Sequence, residues 1–210
     1  MRRSVFAWLV LLLVAPGVLR AADSAPQPQQ AEAIIKNTAQ TVLASINQDK
    51  QAYHQHPQKL YELVDKQVLP HVDATYMTRL ALGRYWHQAN DQQRKEITES
   101  FTKLLVRTYA DTLLQYSTDQ IQWAPVRANP NAQDVTVRSS VNTGSGSPVP
   151  MHYRLRVNDG QWQVYDVTVG GISLVTTYRS SFADLIQQQG MDGFIKTLRK
   201  KVEQATAKGS

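Results

Sequence analysis

Five histidines, no cysteine and a scattering of carboxylates limit the chemistry open to this 210-residue chain. Without a thiol there is no disulfide, no redox dithiol and no thiolate metal site. His54 and His56 are the one close histidine pair, and a metal ion needs more ligands than their neighbourhood supplies. His56 is better explained as the residue that precedes Pro57 at a helix start. Ser145, within Gly144-Ser145-Gly146, resembles a nucleophile only superficially, because the strand-turn-helix of a nucleophile elbow and its GxSxG spacing are both missing. No Walker loop, GxGxxG or HExxH pattern occurs. Asp166 is the one carboxylate that suits an acid or base inside a sheet pocket, with Tyr165 or Tyr153 beside it. The simpler reading is a strand residue facing water or an arginine. Lys196, Arg199, Lys200 and Lys201 form a basic cluster that is either a solvated face or a contact for an acidic partner or anionic headgroups.

The N-terminus reads as a signal peptide over residues 1–21: Arg2 and Arg3, the apolar run Val5–Ala15, a Pro16-Gly17 break and small residues at Ala21-Ala22. The run is too short to span a bilayer as a mature helix. The formal charge of +6 falls to +3 once Arg2, Arg3 and Arg20 leave with the leader. So mild a balance gives no footprint for nucleic acid. Residues 22–33, rich in Ala, Pro and Gln, are expected to be a flexible linker ahead of a single domain over 34–205.

Ile34, Ile35, Thr38, Val42 and Ile46 have helical spacing, and Leu60, Val64 and Val68 repeat it after Pro57. Asp73 suits the cap of a short helix that Gly83 ends. Asn90 with Gln93 forms a capping-box pattern ahead of Ile97, Phe101, Leu104, Leu105 and Leu113. After Gln120 the period drops to two, through Ile121/Trp123, Val135/Val137 and the clear strand Pro148–Asn158, where His152, Arg154 and Arg156 make a wet face. The strand Gln161–Val169 breaks parity, which predicts a bulge near Tyr165. Helical spacing returns from Leu174 to Gly190 and again from Phe194 to Val202. This order predicts an α+β fold: a curved antiparallel sheet of about four strands, covered by N- and C-terminal helices.

Apolar and amphipathic residues gather where these elements meet. Tyr76, Met77 and Leu80 precede Tyr85 and Trp86; Leu105, Tyr109 and Leu113 lie late on the long helix. Met151, Tyr153 and Leu155, with Tyr165, Val167 and Val169 from the next strand, would floor a cavity. Ile172, Leu174, Val175 and Tyr178 would roof it. Ordinary core packing accounts for the same residues, since a cavity is a volume left unfilled. Three functions therefore stand at this point: an apolar-ligand carrier, a cone-shaped α+β enzyme of the NTF2-like type using Asp166, and an envelope interaction module.

Several segments carry a resemblance. Leu69-Pro70-His71-Val72-Asp73, Leu82-Gly83-Arg84-Tyr85-Trp86, Trp162-Gln163-Val164-Tyr165-Asp166-Val167, the run Gly171–Phe182 and Gly190-Met191-Asp192-Gly193 together resemble the MlaC, or toluene-tolerance (Ttg2-type), family of periplasmic phospholipid-binding proteins. The likeness runs from about Ile34 to Val202, and Gly170 stands where an acidic residue is expected. The resemblance implies a periplasmic, monomeric carrier with no cofactor, no catalysis and no metal, holding phospholipid tails in an apolar cavity. It also implies exchange with an inner-membrane ABC transporter through its MCE subunit and with an outer-membrane lipoprotein–porin complex, maintaining outer-membrane lipid asymmetry.

Overall fold

The computed structural model describes residues 26–115, 120–143 and 146–208. The leader, residues 22–25 of the linker and the Gly144-Ser145 pair lie outside the described residues.

Among the described residues, six α-helices and five strands occur in the order α1 (Pro28–Gln48), α2 (Lys50–Gln55), α3 (Pro57–Gln67), α4 (Ala74–Leu82), α5 (Asp91–Tyr109), β1 (Ile121–Ala124), β2 (Asp134–Val141), β3 (Val149–Asn158), β4 (Gln161–Val169), β5 (Ile172–Ser173) and α6 (Leu174–Lys208). Short 3₁₀ turns cover Leu69–His71, Gly83–His87 and Ala110–Gln115. The fold is α+β, with an antiparallel sheet of order β1-β2-β3-β4-β5. Five strands replace the expected four because Ile172 pairs with Val169 and Ser173 with Thr168 before α6 begins.

Local chemistry sets the boundaries. Asn90 and Gln93 exchange their capping-box hydrogen bonds at 2.9 and 3.0 Å, closing the start of α5. The Asp73 carboxylate accepts from the Tyr76 N–H at the start of α4, and Gly83, at φ 55°, ends that helix where a β-carbon would be strained. Asp159 and Gly160 both take positive φ in the β3–β4 hairpin, as a two-residue turn of that twist requires. The expected linker needs correction at residues 28–33, which are helical. Pro28 opens α1, Gln27 and Gln30 cap it, and Ala31 is fully buried. The Trp162 indole N–H donates to the Gln27 carbonyl at 2.9 Å, tying this entry to β4.

The register of β3 against β4 shifts between Arg154 and Leu155: Leu155 faces Val164, and Arg154 faces Asp166. Tyr165 is the extra residue, so the bulge sits where the parity break places it. Register then sorts the sheet into two faces. Val135, Val137, Ser139 and Val141 share one face with Leu155, Tyr153, Met151 and Val149, and with Trp162, Val164, Val167 and Val169. The other face carries Arg154, Arg156, Tyr165 and Asp166, and it is wet only in part. Tyr165 and Asp166 are buried there, because Tyr76 of α4 meets Tyr165 edge-on at 5.3 Å. Ser173 and Val175, at the start of α6, donate to Asp166.

Three apolar clusters build the interior. The first joins α4, α5 and α6 around Phe101, Phe182 and Phe194. The second joins the C-terminal half of α1 to α3 and the end of α5. The third packs Ala31 and Ile35 of α1 on Val135, Val137, Leu155, Trp162 and Val164. Each large side chain fully buried this way contributes roughly 1.5–3 kcal/mol of transfer free energy. At Gly190 (φ 69°, ψ 179°) α6 breaks into two arms that fold back on each other, bringing Phe182 within 4.8 Å of Phe194.

Candidate functional site

Pairing alone locates an unusual surface. Ile121, Val141 and Val149 are register neighbours, and so are Ser139, Met151, Val169 and Ile172. All lie at one end of the apolar sheet face. The opposite end is sealed by α1 within the third cluster, whereas none of these seven residues belongs to any of the three clusters. Val141 is nevertheless buried, as is Leu43 of α1, which also stands outside the clusters. Val169 and Ile172 stay 38% and 66% exposed. Half of this sheet face is thus packed core; the other half is a strip outside every apolar cluster, with Ser139 and Val141 buried at its inner end and Val169 and Ile172 open to solvent at its rim.

Two polar atoms mark the border between the halves. The Ser139 hydroxyl is buried beside the Tyr153 hydroxyl and, among the described residues, makes no well-formed hydrogen bond. Such an orphan costs about 1–3 kcal/mol unless something supplies a partner. Tyr153 stacks against Trp123 and directs its hydroxyl at the Met151 sulfur, 3.7 Å away. Burial pushes its phenol above the usual range, and the adjacent Ser139 hydroxyl opposes part of that rise. Both groups stay neutral at physiological pH, so this surface carries no charge.

The sixteen residues expected to line a cavity separate into groups. Met151, Val169 and Ile172 form the unpacked strip, and Tyr153 and Val167 border it while packing on the third cluster. Leu174 is half-buried and outside the clusters. Leu155 is fully buried against Trp162 and Val164, a core residue. Met77 and Val175 are buried in the first cluster, with Leu80, Leu105 and Tyr178 packed on it; Leu113 packs on the second. Tyr109, 40% exposed, neighbours Tyr178, whose hydroxyl is pushed up to about 12 by burial and then by Tyr109.

Tyr76 and Tyr165 require correction. They sit on the opposite sheet face, where the bulge turns Tyr165 away from Tyr153. There the Tyr165 hydroxyl donates to Asp134 at 2.5 Å, and the Arg154 and Arg156 guanidiniums lie over the Tyr165 and Tyr76 rings. Burial and the Asp134 hydrogen bond hold the Tyr165 phenol well above its usual range. The strip also contains Ile121, Ser139, Val141 and Val149, which sequence reasoning did not place there. Their alternation was visible, but alternation alone does not say which half of a face a helix covers.

Asp166 accepts from the Ser173 hydroxyl at 2.8 Å and from the Val175 N–H at 3.2 Å. The carboxylate that an acid–base reading needs is therefore engaged in starting α6. Among the described residues, no group of three or more His, Cys, Asp or Glu could hold a metal ion, and no helix is long and apolar enough to cross a membrane. A separate open cleft of about 440 Å³ lies between α5 and both arms of α6, lined by Leu104, Arg107, Thr108, Asp111, Tyr178, Ser181, Phe182, Lys201, Gln204 and Ala205.

Known proteins align with nearly all of this architecture. The family model described as MlaC protein matches residues 36–200. The toluene tolerance protein Ttg2D of Pseudomonas putida is 27% identical over 185 residues, covering 88% of this chain and 83% of its own. The intermembrane phospholipid transport system binding protein MlaC of Haemophilus influenzae is 24% identical over 202 residues, 95% of this chain and 93% of its own. A solved structure of a phospholipid-binding protein from Ralstonia solanacearum, in complex with a phospholipid, superposes with a TM-score of 0.77 at 36% identity, covering 84% of this chain and 98% of that one.

Proposed function

We propose that this chain, which belongs to the MlaC family, binds phospholipid and carries it across the periplasm without chemical turnover. The observation that carries this reading is the phospholipid complex of a relative 36% identical over almost its whole length. In this chain the unpacked strip from Ile121 to Ile172 is the surface such a ligand needs. Each methylene removed from water contributes about 0.8 kcal/mol, so acyl tails favour an apolar floor with no competing side-chain layer. Ser139 and Tyr153 supply two hydroxyls at the border, able to meet ester oxygens without introducing charge.

The finer reading is an exported monomer that receives lipid at one membrane and releases it at the other, working with an outer-membrane lipoprotein–porin complex and an inner-membrane ABC transporter bearing an MCE subunit. The residues 1–21 read as a leader support export. The exposed Val169 and Ile172, on the strands flanking the Gly170-Gly171 turn, would form the lip through which tails pass.

Native mass spectrometry of the mature protein, followed by denaturing lipid extraction, tests the reading. A phospholipid retained at defined stoichiometry is expected. A protein that is lipid-free as purified, and takes up none from phospholipid vesicles, would sink it.

A further inference from the structure

The cleft between α5 and the two arms of α6 belongs neither to the strip nor to the packed clusters' interior, and its chemistry differs from both. It brings Arg107 and Lys201 to one space of about 440 Å³, where Asp111 is the single carboxylate among the described lining residues. Among the described residues, neither cation has an ion-pair partner within 4.0 Å, although Arg94, Arg156 and Arg199 all have one. Arg107 is held rather than free: its guanidinium carbon lies 3.6 Å from the centre of the Tyr61 ring. Its Nε is buried with no hydrogen-bond partner among the described residues. Leaving a charged donor dry and unpaired costs more than leaving a neutral one. Thr108, Ser181 and Gln204 add neutral hydrogen-bonding groups around the same opening.

We infer that this cleft is a binding site for a phosphate ester, with Arg107 and Lys201 neutralising the oxyanion and the Ser181 hydroxyl completing its shell. Two cations over one carboxylate select an anion, and charge-assisted bonds to phosphate are the strong ones. The volume is that of a small-molecule site, with room for an ester substituent beyond the bare oxyanion. The ester has two sources: the headgroup of a lipid whose tails lie in the strip, or a small soluble phosphate compound. The first source rests on the carrier reading; the site itself does not.

The mature protein, stripped of lipid and again after loading, is titrated with glycerophosphoethanolamine and with inorganic phosphate while backbone amide shifts are followed. Saturable shifts confined to Thr108, Ser181 and Lys201 are expected, and Lys201→Gln should weaken them about tenfold. Ser181→Ala, a change at an exposed position, gives a second variant that leaves the fold intact. Binding by the stripped form alone identifies the lipid's own headgroup as the source. Equal binding by both forms identifies a soluble ester. Absence of saturable shifts in a folded protein, or shifts unaltered by both substitutions, overturns the site. Lipid retention is read separately by mass spectrometry, so a failed carrier reading and a failed cleft are told apart.

Discussion

Arg156 of β3 donates to the Asp73 carboxylate at 2.9 Å, and the other oxygen of that carboxylate caps α4 by accepting from Tyr76. One buried side chain thereby starts a helix and fastens it to the sheet. The same Arg156 lies over the Tyr76 ring at 4.3 Å, so cap, ion pair and ring contact share one corner. Asp73→Ala removes the cap and strands a guanidinium that is about two-thirds buried. A loss of about 2–3 kcal/mol is expected by denaturant unfolding. A loss below about 0.5 kcal/mol would mean that α4 is held by its apolar face alone.

Met151 and Leu155 are on the same strand and the same face, yet they should respond differently to charge. Met151→Asp places a carboxylate in the strip and should abolish retained lipid while a cooperative unfolding transition persists. Leu155→Asp puts it into fully buried core and should prevent folding. Full lipid loading in folded Met151→Asp would remove the strip from the binding surface.

Ser139→Ala has opposite expected effects on two readouts. Removing a buried hydroxyl that has no well-formed hydrogen bond should stabilise the lipid-free protein by up to about 1 kcal/mol. If the hydroxyl serves the bound lipid, the same change should lower lipid retention in competition with wild type. Destabilisation of the lipid-free form would show that Ser139 is already satisfied in solution.

At the corner of α6, a β-carbon on Gly193 would lie 2.6 Å from the Gln189 β-carbon, closer than two such atoms pack. Gly193→Ala must therefore shift the turn that folds one arm back on the other. A cost of roughly 1–3 kcal/mol is expected in thermal unfolding, together with altered amide shifts around the α5–α6 cleft. Unchanged stability would mean that the corner is loose.

Tyr178 titrates near 12 in the folded protein against 10.0 for a free phenol. Above pH 10 the unfolded chain loses this proton while the native state keeps it. The stabilisation is therefore complete below pH 10 and declines as pH rises towards 12. Stability curves of wild type and Tyr178→Phe should converge over that window. Parallel curves would show that Tyr178 ionises normally.

Much of the fold was legible because its punctuation is local. Asp73, Gly83, the Asn90/Gln93 pair and the Asn158-Asp159-Gly160 hairpin act on backbone groups within a few residues. The bulge at Tyr165 showed as a break in alternation, since parity is a property of the chain itself. The linker's helical half did not show, because Ala31 gains its burial and the Gln27 carbonyl its second donor, the Trp162 indole, only when β4 arrives 135 residues later.

What the sequence by itself determined is the set of elements, the two-faced strands and, through ordered motifs spread along the chain, the family. Tertiary structure decided which half of the apolar sheet face would join α1 in a packed cluster and which half would stand outside one. It also turned Tyr76 and Tyr165 to the far side and consumed Asp166 as the start of α6. The breaking of α6 at Gly190 could be read from one glycine, but the meeting of Arg107 with Lys201 could not. Periodicity records which side of an element avoids water, and only the placement of a second element settles whether that side meets a neighbour or remains open to a ligand.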